Sequence, residues 1–400
     1  MRRVARWVRP ANAMMSPVLT RAVRDPDRVF EQLLHRAERA AGADAEPGER
    51  FIEDFRDLLH RFAEVPTISY LGWTATTAEI QMRLENLLRV RARIAEAPRI
   101  AEEPIDRPIV VVGLPRTATT LAHKIIAEPE ENRAPLMWEF RAADRADIAP
   151  KVRAKRRKQA QRVSSAVKYI APIWQTIHPN SAGTPEECVL ALPHGLHWLT
   201  RFRLEGYRDR LADRDFVPDY GYLKEFLQVL QHGDRPRRWV LKSPFHMYNL
   251  DALMRVFPDA TIVWTHRDPQ TVMGSWCSLV ETGMAMCNRG YDPFDIGADW
   301  IDALSWMVAQ GREQRLRIPP ERMVDVSYPQ LTADPFSQLP RIFEQIGLEW
   351  TFEDEGNLES VLARPGMRRN HEYSLARYGL DADAVERAFG DYGRMVASMR

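Results

Sequence analysis

The 400-residue chain has little cysteine: Cys188, Cys277 and Cys287 are the whole supply. So sparse and odd a set excludes a disulfide framework, and no CxxC pair offers a structural zinc site. The expectation is reduced, buried cysteine in a cytoplasmic protein. Net charge is equally scarce. The 56 basic and 55 acidic residues leave +1, which excludes the strongly basic balance of a whole-chain nucleic-acid binder. No run of about 18 apolar residues occurs, so no transmembrane segment is expected. No period of about 20–50 residues recurs, which removes an obvious solenoid. Carboxylates and histidines do not cluster at metal-ligand spacing, so no metal is required. At the N-terminus Arg2, Arg3, Arg6 and Arg9 surround Trp7 and Val8. This resembles the charged part of a signal peptide, yet the apolar stretch of about 7–15 residues is missing. A docked terminus and a basic segment in peripheral contact with a membrane are the two readings left.

What the chain does have is apolar residues, 45% of the total, enough for a sizeable core. Phe51, Ile52, Phe55, Leu58, Leu59 and Phe62 recur on one face of a helix, and Ile80, Leu84, Leu87 and Leu88 repeat the pattern. Residues 28–100 therefore read as helical. At 104–108 the pattern changes. Ile109–Val112 is a continuous β-branched run, as in a strand buried on both faces of a parallel sheet. Similar runs are 239–241, 260–265 and 323–326, separated by helical stretches including 248–256 and 300–315. Strands alternating with helices predict an α/β fold with right-handed crossovers. The expected form is a P-loop-like three-layer fold with a central parallel sheet of four to five strands. A helical region over 1–104 packs on it, and the α/β domain over 105–400 carries a helical insertion at about 140–235. That insertion holds the basic segment Lys151–Lys158, readable as a solvated helix face or as a contact for a polyanion or acidic lipid surface.

The first strand runs into Gly113-Leu114-Pro115-Arg116-Thr117-Ala118-Thr119-Thr120-Leu121. A strand, a turn of small residues and a helix present backbone amides and a helix N-terminus to a phosphate. Against the nucleotide loop GxxxxGK[ST], Gly113 and Thr120 fit the ends, but Ala118 replaces the second glycine and Thr119 the lysine. The cation has moved forward to Arg116, which argues against an ordinary ATPase or GTPase while still serving a dianion. The third strand ends in Thr265-His266-Arg267-Asp268-Pro269, with Ser275 eight residues after Arg267. A helix starting near Pro269 puts Ser275 about two turns in, where arginine and hydroxyl can converge on a second phosphate. Two phosphate sites on one sheet suit a nucleotide phosphorylated at both its 5′ and 3′ positions.

These two motifs resemble the 5′-phosphosulfate loop and the 3′-phosphate motif of sulfotransferases, in the bacterial branch with arginine in the loop. Leu241-Lys242-Ser243-Pro244-Phe245-His246, Tyr328-Pro329-Gln330-Leu331 leading to Ile346-Gly347-Leu348, and Gly366 to Leu380 are similar to further stretches of that branch. Together they span about residues 108–380. The resemblance implies a transferase that moves a sulfuryl group from 3′-phosphoadenosine 5′-phosphosulfate (PAPS, product PAP) to a hydroxyl or amine of a small-molecule, lipid or carbohydrate acceptor. A P-loop kinase and a non-catalytic nucleotide-binding or interaction protein are the alternatives. Where the family has glycine this chain has Ala118, whose Cβ is expected to crowd the phosphate or forbid a positive φ, and is tolerated if φ is negative.

The resemblance also implies roles. Arg116, with Thr117, Ala118, Thr119 and Thr120, holds the 5′-phosphate. Arg267 and Ser275 hold the 3′-phosphate, Lys242 contacts the sulfonate, Tyr328 lines the adenine pocket, and Arg368, Arg369 and His371 close as a flap. For the base that takes the acceptor proton, Glu186 and Glu187 are the leading candidates, at an expected helix start capped by Thr184. His246 is the next, and His194 and His197 lie in an aromatic stretch. Pro193–Phe202 and Met284–Met286 can line an apolar acceptor pocket or fill core.

Overall fold

The computed structural model describes residues 3–178, 181–234, 237–362 and 374–399. The predicted helical N-terminal region is α1 (Val8–Met14), α2 (Ser16–Val23), α3 (Pro26–Ala41), α4 (Arg50–Ala63) and α5 (Tyr70–Glu96). Each polar boundary does physical work. Asp25, Glu49 and Ser69 accept from the first free amides of α3, α4 and α5, which satisfies donors a helix start otherwise leaves open. Gly42 ends α3 in the left-handed conformation.

The sheet follows. Strands β1 (Ile109–Gly113), β2 (Asn132–Arg133), β3 (Arg238–Lys242), β4 (Thr261–His266) and β5 (Met323–Ser327) are all parallel, in the order β2-β3-β1-β4-β5. Four match the predicted runs. The edge strand β2 has only two residues, too few to carry a periodic signal. Side chains alternate across β1. Val110 and Val112 join one core with Leu241, Ile262 and Trp264, while Ile109 and Val111 join another with Val240, Val263 and Val324. Helices cover both faces, the three-layer arrangement that a doubly buried sheet requires.

Along the rest of the chain, α6 (Thr119–Ile126) follows β1. Within the insertion come α7 (Met137–Arg141), the basic α8 (Pro150–Ile170), α9 (Trp174–Ile177), α10 (Tyr207–Ala212) and α11 (Val217–Gln231). After β3 comes α12 (Leu250–Val256), and after β4 come α13 (Pro269–Cys287) and α14 (Pro293–Arg315). Helices α15 (Tyr328–Ala333), α16 (Pro335–Gln345), α17 (Phe352–Leu362), α18 (Ala382–Phe389) and α19 (Asp391–Ser398) complete the chain. Among the described residues no helix is long and apolar enough to cross a membrane.

Candidate active site

The site forms where β1, β3 and β4 end together, because parallel strands deliver their C-terminal loops to one edge of the sheet. At Gly113 φ is 143°, and a Cβ there would sit 2.5 Å from the Thr265 carbonyl, so only glycine lets β1 turn against β4. The Thr117 hydroxyl is buried against the Thr265 hydroxyl at 2.6 Å and donates to the Leu114 carbonyl at 2.6 Å. It therefore braces the loop. On either side of it Arg116 and Ala118 are left-handed, with φ of 71° and 67°. The negative φ that would accommodate an alanine is thus not adopted at Ala118. The alanine bears a conformation that costs about 1–2 kcal/mol outside glycine, held by the pinned threonine between.

Helix α6 begins on Ala118 with no side chain capping its first amides. Of the helices that follow the neighbouring strands, α13 is capped by Asp268, which accepts from Thr271 N–H, and α15 has no side-chain cap. An uncapped start beside a cation leaves donors and a favourable dipole for an anion. Thr119 and Thr120 face a cavity there.

The two phosphate motifs meet. Arg116 Nε donates to Ser275 Oγ at 3.0 Å across 159 residues of sequence, and its Nη1 donates to the Ile177 carbonyl at 2.9 Å. Arg267 Nη1 donates to the Arg116 carbonyl at 2.8 Å, and its guanidinium lies 4.0 Å from the Tyr328 ring centroid, a cation–π contact. Pro269 and Ser275 occupy the predicted places on α13. The adjacent His266 is buried between Tyr392 and Asp325 and takes no part in the site.

Lys242, at the end of β3, is buried with its Nζ 2.5 Å from Glu187 Oε1. Glu186 and Glu187 both line the cavity; Glu187 precedes a short 3-10 turn, Cys188–Leu190, in place of the expected helix start capped by Thr184. Residues 184–186 are pinned to 135–137 by the Leu136–Pro185 bridge and by Glu186 N–H on the Pro135 carbonyl. Glu186 is buried, which alone would raise its pKa. His178, 3.7 Å away, and Lys242 outweigh that and hold the carboxyl down at about 2.

His246 is fully buried, with Nδ1 2.8 Å from the Tyr220 hydroxyl, and is not part of the cavity wall. Burial and then Lys242 push its pKa down to about 3. The candidate base His246 is therefore placed in the core. So is His194, beside the Tyr207 hydroxyl at 3.2 Å. Arg368, Arg369 and His371 lie outside the described residues.

The cavity, about 380 Å³ in volume, starts at Pro115, Arg116, Thr119 and Thr120 and continues along one face of α13: Trp276, Leu279, Gly283 and Met286. At a rise of about 1.5 Å per residue, Ser275 and Cys287 stand roughly 18 Å apart. Val167, Ile170 and Trp174 add apolar wall, while Glu79, His197 and Arg201 mark the far end. Glu79 there pairs with Arg83 at 2.8 Å and with Arg201 at 2.6 Å. The aromatic stretch thus divides: His197, Thr200 and Arg201 reach the cavity, and Trp198 and Phe202 fill core. Sequence reading missed Glu79 and His178. Glu79 is visible only as an acid four residues before Arg83 on a helix, and His178 carries no local signal.

Residues 108–352 match the model of a sulfotransferase family. The chain belongs to that family. It is similar to omega-hydroxy-beta-dihydromenaquinone-9 sulfotransferase Stf3 of Mycobacterium bovis and of Mycobacterium tuberculosis, 26% identical over 290 residues, 68% of this chain and 69% of theirs. Its fold is similar to the crystal structure of sulfotransferase STF1 from Mycobacterium tuberculosis, with a TM-score of 0.79 and 26% identity over 90% of this chain and 98% of that one. STF9 from Mycobacterium avium gives 0.79 and 25% over 92% and 96%. This sulfotransferase is therefore an enzyme of sulfuryl transfer, and the kinase and non-catalytic readings fall away.

Proposed function

We propose that this sulfotransferase uses PAPS as donor and sulfates the hydroxyl of an apolar, lipid-like alcohol. The observation that carries the donor assignment is the contact of Arg116 with Ser275 and Arg267. It joins two anion-binding motifs at the sheet edge, and the uncapped start of α6 supplies the amides that a 5′-phosphosulfate needs. When bound, PAPS supplies the sulfuryl group and a leaving bridge oxygen. Arg116 and the amides of residues 117–120 orient the 5′ end and stabilise charge on that oxygen. Arg267, steadied on Tyr328, and Ser275 hold the 3′-phosphate, which ATP lacks.

Lys242 is the cation placed for the sulfonate oxygens, and Glu187 is the base for the acceptor proton. Glu186, whose carboxyl His178 and Lys242 hold down at about 2, takes up a proton poorly near neutral pH. Glu187 lies on the cavity wall in contact with Lys242, next to the cation that steadies the transferring group. The acceptor class rests on the apolar wall along α13. Stf3, the relative named above, is named for a hydroxylated menaquinone, which supports the same class here.

Calorimetric titration with PAP, ATP and 5′-AMP tests the donor site. PAP is expected to bind far more tightly than the other two, and Arg267→Ala to weaken it about tenfold to a hundredfold, the range of charge-assisted hydrogen bonds. Equal affinity for PAP and 5′-AMP would overturn the 3′-phosphate assignment.

A further inference from the structure

The chain is electrically balanced overall, but one part of its surface is not. Residues 3–24 hold five arginines and no acid, and α8 holds eight basic residues and no acid. The two stretches touch. Ala5 N–H donates to the Ile170 carbonyl at 2.8 Å, and the Trp7 indole donates to the Tyr169 carbonyl at 3.3 Å. Arg3 turns inward to Glu281 and Arg156 pairs with Asp144. Among the described residues no carboxylate lies within ion-pair distance of the exposed Lys151, Lys155, Arg157, Lys158, Arg162 or Lys168. The same holds for the exposed arginines at 6, 9, 21 and 24.

Apolar side chains are interspersed with these charges. Trp7, Met14, Val18, Val152, Val163 and Tyr169 make up six of the eleven large exposed apolar residues described. Trp7 is 46% exposed, Met14 73% and Tyr169 67%, with the Lys168 ammonium 5.6 Å from the Tyr169 ring centroid. A soluble polyanion or nucleic acid asks only for charge and gives these side chains nothing to enter. A second copy of the same face would bring like charges together. A lipid surface with anionic headgroups matches both components, because cations meet the headgroups while tryptophan and tyrosine sit at the boundary with the acyl chains.

The position of this surface gives it a use. Val167 and Ile170 line the cavity from the same helical turn that exposes Lys168 and Tyr169. On the other side, Asn12 of α1 accepts from Leu71 N–H at 3.0 Å, and Leu71 and the exposed Ala75 also line the cavity. The basic stretches therefore flank one opening. We propose that this face docks on an anionic lipid bilayer, so that an acceptor dissolved in the bilayer enters the cavity between α5 and α8. The entry route rests on the cavity being the acceptor site; the docking does not.

The test is co-sedimentation of the full chain with vesicles of phosphatidylcholine alone and of phosphatidylcholine mixed with phosphatidylglycerol. Partition is expected on the mixed vesicles, little on the neutral ones, with a steep loss on adding salt. The double variant Lys155→Glu/Lys158→Glu should partition at least about tenfold less, with its thermal midpoint and PAP affinity unchanged. Tyr169→Ser should weaken partition without altering its salt dependence. Equal partition of wild type on both vesicle types, or of wild type and the double variant on the mixed ones, would overturn the proposal. So would binding to dextran sulfate with none to vesicles, which would identify a soluble polyanion as the ligand. Vesicle binding retained in a protein that fails to bind PAP would instead count against the donor reading alone.

Discussion

Ala118 is where residue chemistry and loop geometry conflict. A left-handed alanine is held in place by Thr117, whose hydroxyl is fixed to β4. Ala118→Gly releases the steric cost but gives the unfolded chain more freedom. The net expectation is a gain of up to about 1 kcal/mol in thermal denaturation, with PAP affinity unchanged or tighter. A loss of stability would mean that the loop is not strained. Glu187 is the second residue at which roles separate. Glu187→Gln keeps the shape and removes the proton acceptor, so kcat is expected to fall about a hundredfold or more while PAP affinity holds. An unchanged kcat would move the base elsewhere, with His178 next in line on the cavity wall.

At the scale of elements, α13 does most of the work. Its N-terminal end carries Ser275 to Arg116, its middle walls the cavity with Trp276 and Leu279, and its last turn reaches Cys287 at the far end. The helix can lie so close to the segment around Thr200 only because of Gly283, where an added Cβ would fall 2.3 Å from the Thr200 carbonyl oxygen. Backbone cannot yield as a side-chain tip does. Gly283→Ala should therefore destabilise the protein by about 1–3 kcal/mol and raise the acceptor KM, leaving PAP affinity alone. A normal KM in a destabilised variant would separate this wall from the acceptor.

Across the whole molecule, two buried carboxylates tie distant parts together. Glu281 on α13 receives Arg3 from one end of the chain and Arg377 and Tyr378 from the other. Glu186 joins the insertion to the sheet edge near Lys242. Burial works to raise both pKa values, but hydrogen bonds and nearby cations win and hold each at about 2. A carboxyl depressed in the fold stabilises it above the unfolded pKa of about 4.3 and loses that contribution as pH falls through the folded value. Urea unfolding should therefore show stability nearly flat from neutral pH down to about 5, then dropping steeply toward 2. The loss is of the order of 3 kcal/mol for each carboxyl, and shallower in Glu281→Gln. A profile that stays flat to low pH would show that neither carboxylate is held as described.

The parallel sheet was legible because β1 and β4 are buried throughout and read as unbroken runs of mostly β-branched residues, while β3 and the edge strand β5 keep shorter apolar runs. The arginine loop and the Arg267–Ser275 pair were legible because each is a local spacing on a strand–helix junction. What the sequence did not disclose is non-local. Contact between Arg116 and Ser275 depends on β1 and β4 lying side by side. The position of residues 184–186 depends on the bridge from Leu136, and the helical turn begins only at Cys188. Whether a histidine faces a cavity or the core is decided by packing, and it separated His197 from His246 although both have mostly apolar neighbours in the sequence. The sequence by itself determined the strands, the helices and the types of anion-binding residue, since these follow from short-range periodicity and chemistry. Only the tertiary structure decided which of those residues share a site, because that proximity is created when distant segments bury their apolar faces against one sheet.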